Sequence, residues 1–403
     1  MNKLDKSIIN IKDSCYGCGV CVKKCPFGAI SLEENEEGFL YPKISEELCK
    51  NCGRCANECI SARRDKKDDL YSVKSYMAIA KDKEIYNESA SGGFATIIAK
   101  YVIQNMSGVV YGCNLDENGN VKHIRIDKVE ELRQIQDSKY VQSQIVGILD
   151  ELDKDVKDKK VLFIGTPCQV DAVKKMVDKK YRNNLITCDL VCHGVPSPKL
   201  FKNYFGFLSK KYNKKVKEYR FRNKSSFDKC GFRGKVVFDN NKSKYIFSDY
   251  DLYYKDFLLE KNFRKSCYQC KYKGEERVGD FSLGDVNTWE EYYDFYPGLS
   301  SSLVIVNNKF ASNLLEKLKG FINIREIDFE KEKILNKALS KQTPYPKERD
   351  VIYERYKNLY QYDKEMNKKV SLKQKTKNQL KKYIPFKFRI TIKKFLKGRL
   401  KNK

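Results

Sequence analysis

The sequence contains no apolar run long enough to cross a bilayer or to serve as a signal peptide. Its longest apolar stretches, such as residues 161–164, fall far short of the roughly 20 residues that a spanning helix needs. The first residues, MNKLDKSIIN, have no secretory pattern. We therefore expect a cytoplasmic protein, with peripheral attachment to the inner membrane surface as an alternative.

Two common nucleotide-binding signatures are also missing. No Gly-x-Gly-x-x-Gly follows a strand-like run, and no Gly-x4-Gly-Lys-[Ser/Thr] loop occurs anywhere in the chain. These absences disfavour a Rossmann-type NAD site and a P-loop ATPase.

Cysteine, in contrast, is abundant. The chain has 15 cysteines in 403 residues, and most of them lie in Cys-x2-Cys or Cys-x3-Cys spacings. Such spacings suit a metal centre and fit poorly with a ladder of disulfides. The sequence therefore indicates a metalloprotein of a reducing compartment.

Eight cysteines form two copies of the run Cys-x2-Cys-x2-Cys-x3-Cys within the first 60 residues. In the bacterial two-cluster arrangement, the fourth cysteine of each run ligates the cluster of the other run. This pattern predicts two [4Fe–4S] clusters, one held by Cys15, Cys18, Cys21 and Cys59, the other by Cys49, Cys52, Cys55 and Cys25. A structural zinc site is the alternative, but two complete runs exceed the four ligands that zinc requires.

Chain length predicts roughly two to three domains. We place a ferredoxin-like module with a short hairpin in residues 1–65, with the charged stretch 63–69 at its boundary. Strand-like runs alternate with helical patterns after that, which predicts an α/β domain over residues 70–345 with a small antiparallel insertion at about 216–247. Residues 346–403 are predicted to form a basic helical tail, and the overall fold class is α+β.

Four further cysteines lie outside the first module, and four is the number that one more [4Fe–4S] cluster needs: Cys168, Cys192, Cys267 and Cys270. Other interpretations remain open from spacing alone. The Cys267-x2-Cys270 pair is compatible with zinc, and Cys168 and Cys192 are compatible with buried small hydrophobes. Cys188 is close enough to Cys192 in the sequence to be a rival ligand.

Several segments between about residues 75 and 290 resemble the family of coenzyme F420 hydrogenase and dehydrogenase beta subunits. The matching pieces occur in the order of the family: Ser91-Gly-Gly-Phe-Ala-Thr, Ser138-Lys-Tyr-Val-Gln-Ser, Gly165-Thr-Pro-Cys-Gln, Cys192-His-Gly-Val-Pro-Ser-Pro, Cys267-x2-Cys270, Glu276-Arg and Gly279-Asp-Phe-Ser-Leu-Gly-Asp. The sequence departs from the family after Asp285, which leaves the substrate open.

This resemblance implies a third [4Fe–4S] cluster and a bound FAD in the α/β domain. The cofactor-binding residues that it suggests are Ser91, Gly92, Gly93, Ser138, Lys139 and Thr166. A glycine turn that opens a helix suits a phosphate group, because the first N–H groups of a helix have no partner within it. A plain helix cap at Ser91 and a solvated helix around Lys139 are the alternatives.

The C-terminal residues 364–403 contain 16 Lys and Arg against a single acidic residue, Glu365. Apolar residues recur among these lysines at Leu372, Leu380, Ile384, Phe388, Ile392, Phe395 and Leu396. This pattern is typical of an interfacial helix on anionic lipid, although a solvated basic tail fits as well. Nucleic acid is disfavoured because no recognition motif accompanies the charge.

The sequence as a whole predicts an iron–sulfur flavoprotein oxidoreductase. Electrons would pass between a two-electron donor, such as a deazaflavin of the F420 type, and a one-electron or substrate acceptor, through FAD and the clusters. The donor or acceptor is expected to be a redox partner protein or a small molecule, and no catalytic residue is predicted. The alternatives are an electron relay or partner-binding module without flavin chemistry, and a redox enzyme for a membrane-associated glycan precursor.

Overall fold

The structure is a computed structural model. It describes residue 11, residues 13–62, 73–224, 233–292, 295 and 300–372, and a few residues between 375 and 392. The boundary predicted at residues 63–69 lies wholly outside the described residues. No helix in the described ranges is long and apolar enough to cross a membrane.

The described strands are β1 (Ile30–Glu34), β2 (Leu40–Ile44), β3 (Lys74–Ala80), β4 (Val109–Leu115), β5 (Val121–Ile126), β6 (Val161–Gly165), β7 (Leu185–Leu190), β8 (Val216–Arg220), β9 (Arg233–Phe238), β10 (Ser243–Phe247), β11 (Phe281–Asp285), β12 (Ser302–Val306) and β13 (Ile322–Ile327).

The described α-helices are α1 (Val20–Lys24), α2 (Arg54–Asn57), α3 (Lys83–Glu88), α4 (Phe94–Met106), α5 (Leu149–Asp158), α6 (Pro167–Met176), α7 (Pro198–Tyr212), α8 (Leu252–Leu258), α9 (Lys265–Tyr268), α10 (Lys309–Leu318), α11 (Phe329–Leu335), α12 (Lys337–Ser340), α13 (Arg349–Arg355) and α14 (Leu359–Lys368).

The N-terminal module repeats one small unit, as the cysteine spacing indicates. A short helix begins directly after a glycine in each copy: α1 after Gly19 at φ 77° and α2 after Gly53 at φ 74°. Only glycine adopts this left-handed backbone without steric cost, so the tight loops between the cysteines depend on it. The antiparallel pair β1–β2 forms the hairpin between the copies.

An eight-stranded sheet forms the centre of the second domain, in the order β13-β3-β12-β11-β7-β6-β4-β5. Strands β4, β6, β7 and β11 form a run of parallel neighbours, and β11 is followed by the antiparallel β12, which pairs in turn with β3. Strand β3 consequently runs in the same direction as the parallel set. The carboxyl ends of five strands therefore meet at one edge of the sheet.

Alternating residues of the central strands belong to two separate apolar clusters, one on each face of the sheet. Leu162 and Ile186 pack on the face covered by α4 and α10, whereas Val161, Phe163 and Leu185 pack on the face covered by α5 and α6. This is the period of two that a strand covered on both faces shows. The sheet is therefore buried between two helical layers.

The predicted insertion is a separate three-stranded antiparallel sheet of β8, β9 and β10. It shares an aromatic cluster with α7, α8 and the C-terminal segment around α13 and α14, which contributes the buried Ile352, Tyr356 and Tyr362. The chain therefore stays packed on the core well beyond residue 346, where we predicted the basic tail to begin.

Candidate functional site

The carboxyl edge of the parallel strands carries three of the residues singled out in the second domain, Thr166, Cys168 and Cys192. Thr166 and Cys168 follow β6, Cys192 follows β7, and Asp285 ends β11. Loops at this edge come together in space, and α/β proteins commonly bind ligands there. The fold thus places Thr166, suggested for the flavin, on the same side of the sheet as Cys168 and Cys192.

We call Cys168, Cys192, Cys267 and Cys270 the third set. Burial raises the pKa of the Cys267 thiol to about 12, and nearby Cys192 and Cys270 raise it too. Burial likewise raises the pKa of Cys168, with further contributions from Cys270, Cys192 and Cys267. Four thiols that perturb one another in this way lie close together, and a cationic iron centre would favour their thiolate forms.

Cys188 lies elsewhere. It is fully buried in β7 and packs with Ile186 in the cluster on the α4 face of the sheet. Cys168 and Cys270 pack against the cluster on the opposite face. Cys188 is therefore directed away from the third set.

A buried ion pair supports the loops that carry the third set. Arg277 donates from Nε to Asp189 Oδ1 at 3.1 Å, and both side chains are almost completely buried. The guanidinium also donates to the backbone carbonyls of Tyr272 and Leu190, at 3.2 and 2.9 Å. Arg277 therefore ties the end of β7, which leads to Cys192, to the segment that follows Cys270.

The N-terminal cysteines separate into two groups, which we call the first set (Cys15, Cys18, Cys21 and Cys59) and the second set (Cys25, Cys49, Cys52 and Cys55). Burial raises the pKa of Cys18 to about 12, and Cys15 and Cys59 raise it as well. The pKa of Cys21 is raised by burial and then by Cys18, Cys15 and Cys59. Cys59, from the second run, thus lies beside three cysteines of the first run.

All four members of the second set line one cavity of about 350 Å³ of empty space, which includes a part open to solvent. Pro26, Ile30, Ile44 and Gly53 contribute to its wall. The cavity joins Cys25 of the first run to three cysteines of the second run. The assignment of these four cysteines to one cluster stays a prediction from the spacing.

The donor chemistry of both N-terminal sets fits iron–sulfur clusters. Backbone N–H groups point at sulfurs: Gly17 to Cys15 Sγ at 3.3 Å, Ala29 to Cys25 Sγ at 3.3 Å, and Asn51 to Cys49 Sγ at 3.5 Å. Hydrogen bonds of this kind stabilise the charge of ligating thiolates. No three His, Cys, Asp or Glu side chains of the described ranges converge as they would around a single metal ion.

The suggested flavin residues Ser91, Gly92 and Gly93 form the turn before α4. Gly93 has φ 91° and caps the helix without a side-chain hydrogen bond. A Cβ atom on Gly92 would lie 2.0 Å from the backbone oxygen of Ala78, so this position requires glycine for packing against the sheet. The turn therefore has a structural role whether or not a ligand lies beside it.

Ser138 and Lys139 lie in a loop after β5 and not in a helix. Lys139 donates from Nζ to the carbonyls of Gln136 and Asp137, and burial lowers its pKa. Its ammonium group is thus engaged with the backbone of its own loop, while Ser138 donates its N–H to Asp137 Oδ1 at 2.9 Å. This loop and the turn at Ser91 border the same region, because Arg220 contacts both Glu88 and Asp137.

Thr166, the remaining residue suggested for the flavin, lies with the third set. Its Oγ1 is 3.2 Å from Cys168 Sγ, and its N–H donates to Gln169 Oε1 at 3.0 Å. The hydroxyl is thus placed to hydrogen-bond the sulfur of a third-set cysteine.

Three basic residues near the Ser91 turn are not predicted from the sequence: Arg220, Arg222 and Lys224. Lys224 donates from Nζ to the carbonyls of Tyr86, Ser89 and Ser91, the second at 2.8 Å, and burial lowers its pKa to about 7. Arg222 donates to Asp285 Oδ2 at 2.8 Å. The sequence offered one signal for them. The three residues are spaced two apart, and side chains two residues apart in an extended segment point to the same side.

Comparisons with known proteins confirm the resemblance noted in the sequence. Residues 158–330 match the family model that describes the C terminus of the coenzyme F420 hydrogenase/dehydrogenase beta chain. Residues 14–62 match the model of a 4Fe-4S dicluster domain. The chain is therefore an iron–sulfur protein related to F420 oxidoreductases.

Among the relatives, one component of the F(420)H(2) dehydrogenase of Methanosarcina mazei is 22% identical over 45% of this chain and 53% of its own length. The coenzyme F420-dependent sulfite reductase of Methanocaldococcus jannaschii is 28% identical over 40% of this chain and 25% of its own length. The chain thus spans about half of the first relative and a quarter of the second.

A chain of the F420-reducing [NiFe] hydrogenase complex from Methanosarcina barkeri, solved as a xenon derivative, aligns with a TM-score of 0.45 and 17% identity. The alignment covers 76% of this chain and 95% of that chain.

Proposed function

We propose that this protein is an oxidoreductase that transfers electrons between two-electron and one-electron carriers. The basis is a chain that joins a 4Fe-4S dicluster domain to a domain of the F420 hydrogenase/dehydrogenase beta type. A deazaflavin of the F420 type, or another two-electron donor, would exchange a hydride with FAD in the α/β domain. Single electrons would then pass through the third set and the dicluster domain to a redox partner protein, or in reverse. Clusters take one electron each, so a flavin is the natural converter.

The observation that carries this proposal is the third set at the carboxyl edge of the sheet. Four free cysteines come together there from three separate segments of the chain, although Cys168 and Cys270 are 102 positions apart in the numbering. Cys168 and Cys270 also pack against the same apolar cluster. The donor set fits a [4Fe–4S] cluster, which needs four thiolates.

The region around the Ser91 turn supports a neighbouring anionic ligand. Arg220 and Lys224 donate to backbone carbonyls just before α4, a 13-residue helix whose N-terminus has no side-chain cap, and Arg222 lies between them in the sequence. Helix N-termini and clustered cations both favour phosphate groups, such as those of FAD. Ser91, Gly92, Gly93, Ser138 and Lys139 border this region and remain the residues proposed to hold the flavin.

Measuring iron, sulfide and flavin per chain in anaerobically purified protein tests the proposal. We expect about 12 irons and one flavin, because three cubanes hold four irons each. About 8 irons without flavin would reduce the protein to a ferredoxin-like relay or partner-binding module. About 12 irons without flavin would keep the third cluster and refute the two-electron chemistry.

The basic C-terminal residues are proposed to attach the protein to anionic lipid. Leu372, Phe388 and Ile392 are 81%, 61% and 43% exposed, as apolar side chains of an interfacial helix would be before binding. Leu380, Phe395 and Leu396 lie outside the described residues. A glycan precursor at the membrane would be one substrate class reached in this way.

Deleting residues 380–403 should abolish cosedimentation with phosphatidylserine-containing vesicles, because ten Lys and Arg are removed with no acidic residue. The deletion spares Val370, which is buried, and Asn378, which donates to Asp249 at 3.0 Å. Iron content should therefore stay unchanged. Equal cosedimentation of the truncated and full-length chains would refute membrane attachment through this segment.

A further inference from the structure

The N-terminal module meets the α/β domain at the residue that follows the first cysteine. Tyr16 is 6% exposed, and its ring contacts the ring of Tyr272 edge-on with 5.4 Å between the centroids. The backbone N–H of Lys271 donates to the Tyr16 hydroxyl at 3.1 Å. Tyr16 thus connects Cys15 of the first set with the two residues that follow Cys270 of the third set.

The space around this contact is apolar and continuous. Tyr16, Val20 and Ile60 of the N-terminal module belong to the same buried cluster as Tyr272 and the apolar residues of α6. Cys18 of the first set and Cys168 and Cys270 of the third set pack against this one cluster. No equivalent cluster joins the second set to the α/β domain in the described ranges.

Arg264 fixes the two parts of the chain in this position. It precedes α9, which carries Cys267, and it is 1% exposed. Its Nε donates to the carbonyl of Cys15 at 2.6 Å and its Nη2 to the carbonyl of Leu40 at 2.9 Å. Gln142 adds a hydrogen bond from Nε2 to the carbonyl of Tyr16 at 2.8 Å.

The second set lies near the surface of the N-terminal module. Cys52 is exposed, and the neighbouring Phe27 and Leu48 are 45% and 50% exposed. The apolar residues packed around this set, including Ile30 and Ile44, all belong to the N-terminal module. An external partner can therefore approach the second set without displacing any described part of the α/β domain.

We propose that Tyr16 and Tyr272 form the contact through which single electrons pass between the first set and the third set, while the second set exchanges electrons with external partners. This inference rests on the proposed function, because it requires a cluster at the third set. In each transfer one centre loses one electron and the other gains it. Neither tyrosine is oxidised or reduced, and no proton moves.

Tyr16→Leu in the full-length holoprotein tests the contact. Reduced methyl viologen, generated by a pulse, would deliver single electrons, and freeze-quench EPR would follow their distribution among the clusters. We expect the variant to reduce its dicluster module as fast as the wild type but to lose the fast phase of electron arrival at the third set. Tyr16→Phe, which keeps the ring, should retain that phase.

Tyr181→Leu is the matched control, because Tyr181 packs against the same apolar cluster but lies in the segment Lys179–Asn184, which carries no cysteine. Iron content and reduction potentials should be unchanged in all three variants, which separates a role in transfer from a role in folding. If Tyr16→Leu loses iron, Tyr272→Leu provides the second test from outside the module. If Tyr16→Leu or Tyr272→Leu keeps its full iron content and also keeps the fast phase of electron arrival at the third set, the inference is overturned.

The failure of the inference can be told from the failure of the proposed function. About 8 irons in the wild type would remove the third cluster and with it the proposed function. About 12 irons with normal kinetics in Tyr16→Leu would leave the function intact and refute only the role of the tyrosines.

Discussion

Replacing Cys168 with serine should remove about four irons from the chain while the dicluster domain stays loaded. Cys168 is a partly buried member of the third set and follows β6, so its loss leaves three thiolates for a cluster that needs four. Iron and sulfide analysis with low-temperature EPR would measure the loss. Electron flow from a two-electron donor to the dicluster domain should stop.

Cys188→Ala is the matched control for this experiment. Cys188 is fully buried but packs on the opposite face of the sheet, and alanine preserves a small apolar side chain there. We expect this variant to keep its full iron content. If Cys188→Ala loses iron and Cys168→Ser does not, the assignment of the third set is wrong and Cys188 is a ligand.

Replacing Arg277 with leucine should destabilise the α/β domain by about 3–5 kcal/mol, because removing one partner of a buried ion pair leaves an uncompensated charge. Asp189 would keep the hydrogen bonds from the backbone N–H groups of Val278 and Gly279, at 3.2 and 2.7 Å. The midpoint of thermal unfolding should fall by on the order of 10 °C. Because Arg277 supports the loops of Cys192 and Cys270, the third set should lose its iron first.

Two further variants test whether the uncompensated charge of Asp189 causes the loss of stability. The double variant Asp189→Leu/Arg277→Leu should recover part of the lost stability, since it removes both buried charges. Lys331→Leu, which breaks the exposed ion pair with Glu291, should hardly change the unfolding midpoint. An Arg277→Leu protein as stable as the wild type would show that the pair has no supporting role.

Local patterns predicted the elements of the fold well. The apolar run at residues 160–164 indicates a strand and the pattern of residues 93–104 indicates a helix, and β6 (Val161–Gly165) and α4 (Phe94–Met106) lie there. Both follow from hydrophobic periodicity and from glycines that end or begin elements. The order of the sheet was not predicted, because the placement of β12 and β13 beside β3 depends on contacts between distant segments.

The candidate site likewise has some features that the sequence predicts and others that it does not. Cysteine spacing predicts that Cys25 and Cys59 exchange between the runs, because the geometry of two clusters requires it, and Cys59 lies beside Cys15 and Cys18 in the structure. The contacts of Arg264 and Lys224 could not be predicted, because each donates to backbone carbonyls, which every residue possesses. Lys139 was considered for a ligand or a solvated helix, and its buried position among loop carbonyls has no local signature.

A contact between the two ends of the packed chain constrains the order of assembly. The hairpin residue Glu37 accepts two hydrogen bonds, at 2.8 and 2.7 Å, from Arg349, which is fully buried and 312 positions later. During synthesis the N-terminal module emerges long before its partner in α13 has been translated. The module therefore docks in its final position only after the ribosome has completed the α/β domain, and the cysteines of the first set stay more accessible to iron–sulfur delivery until then.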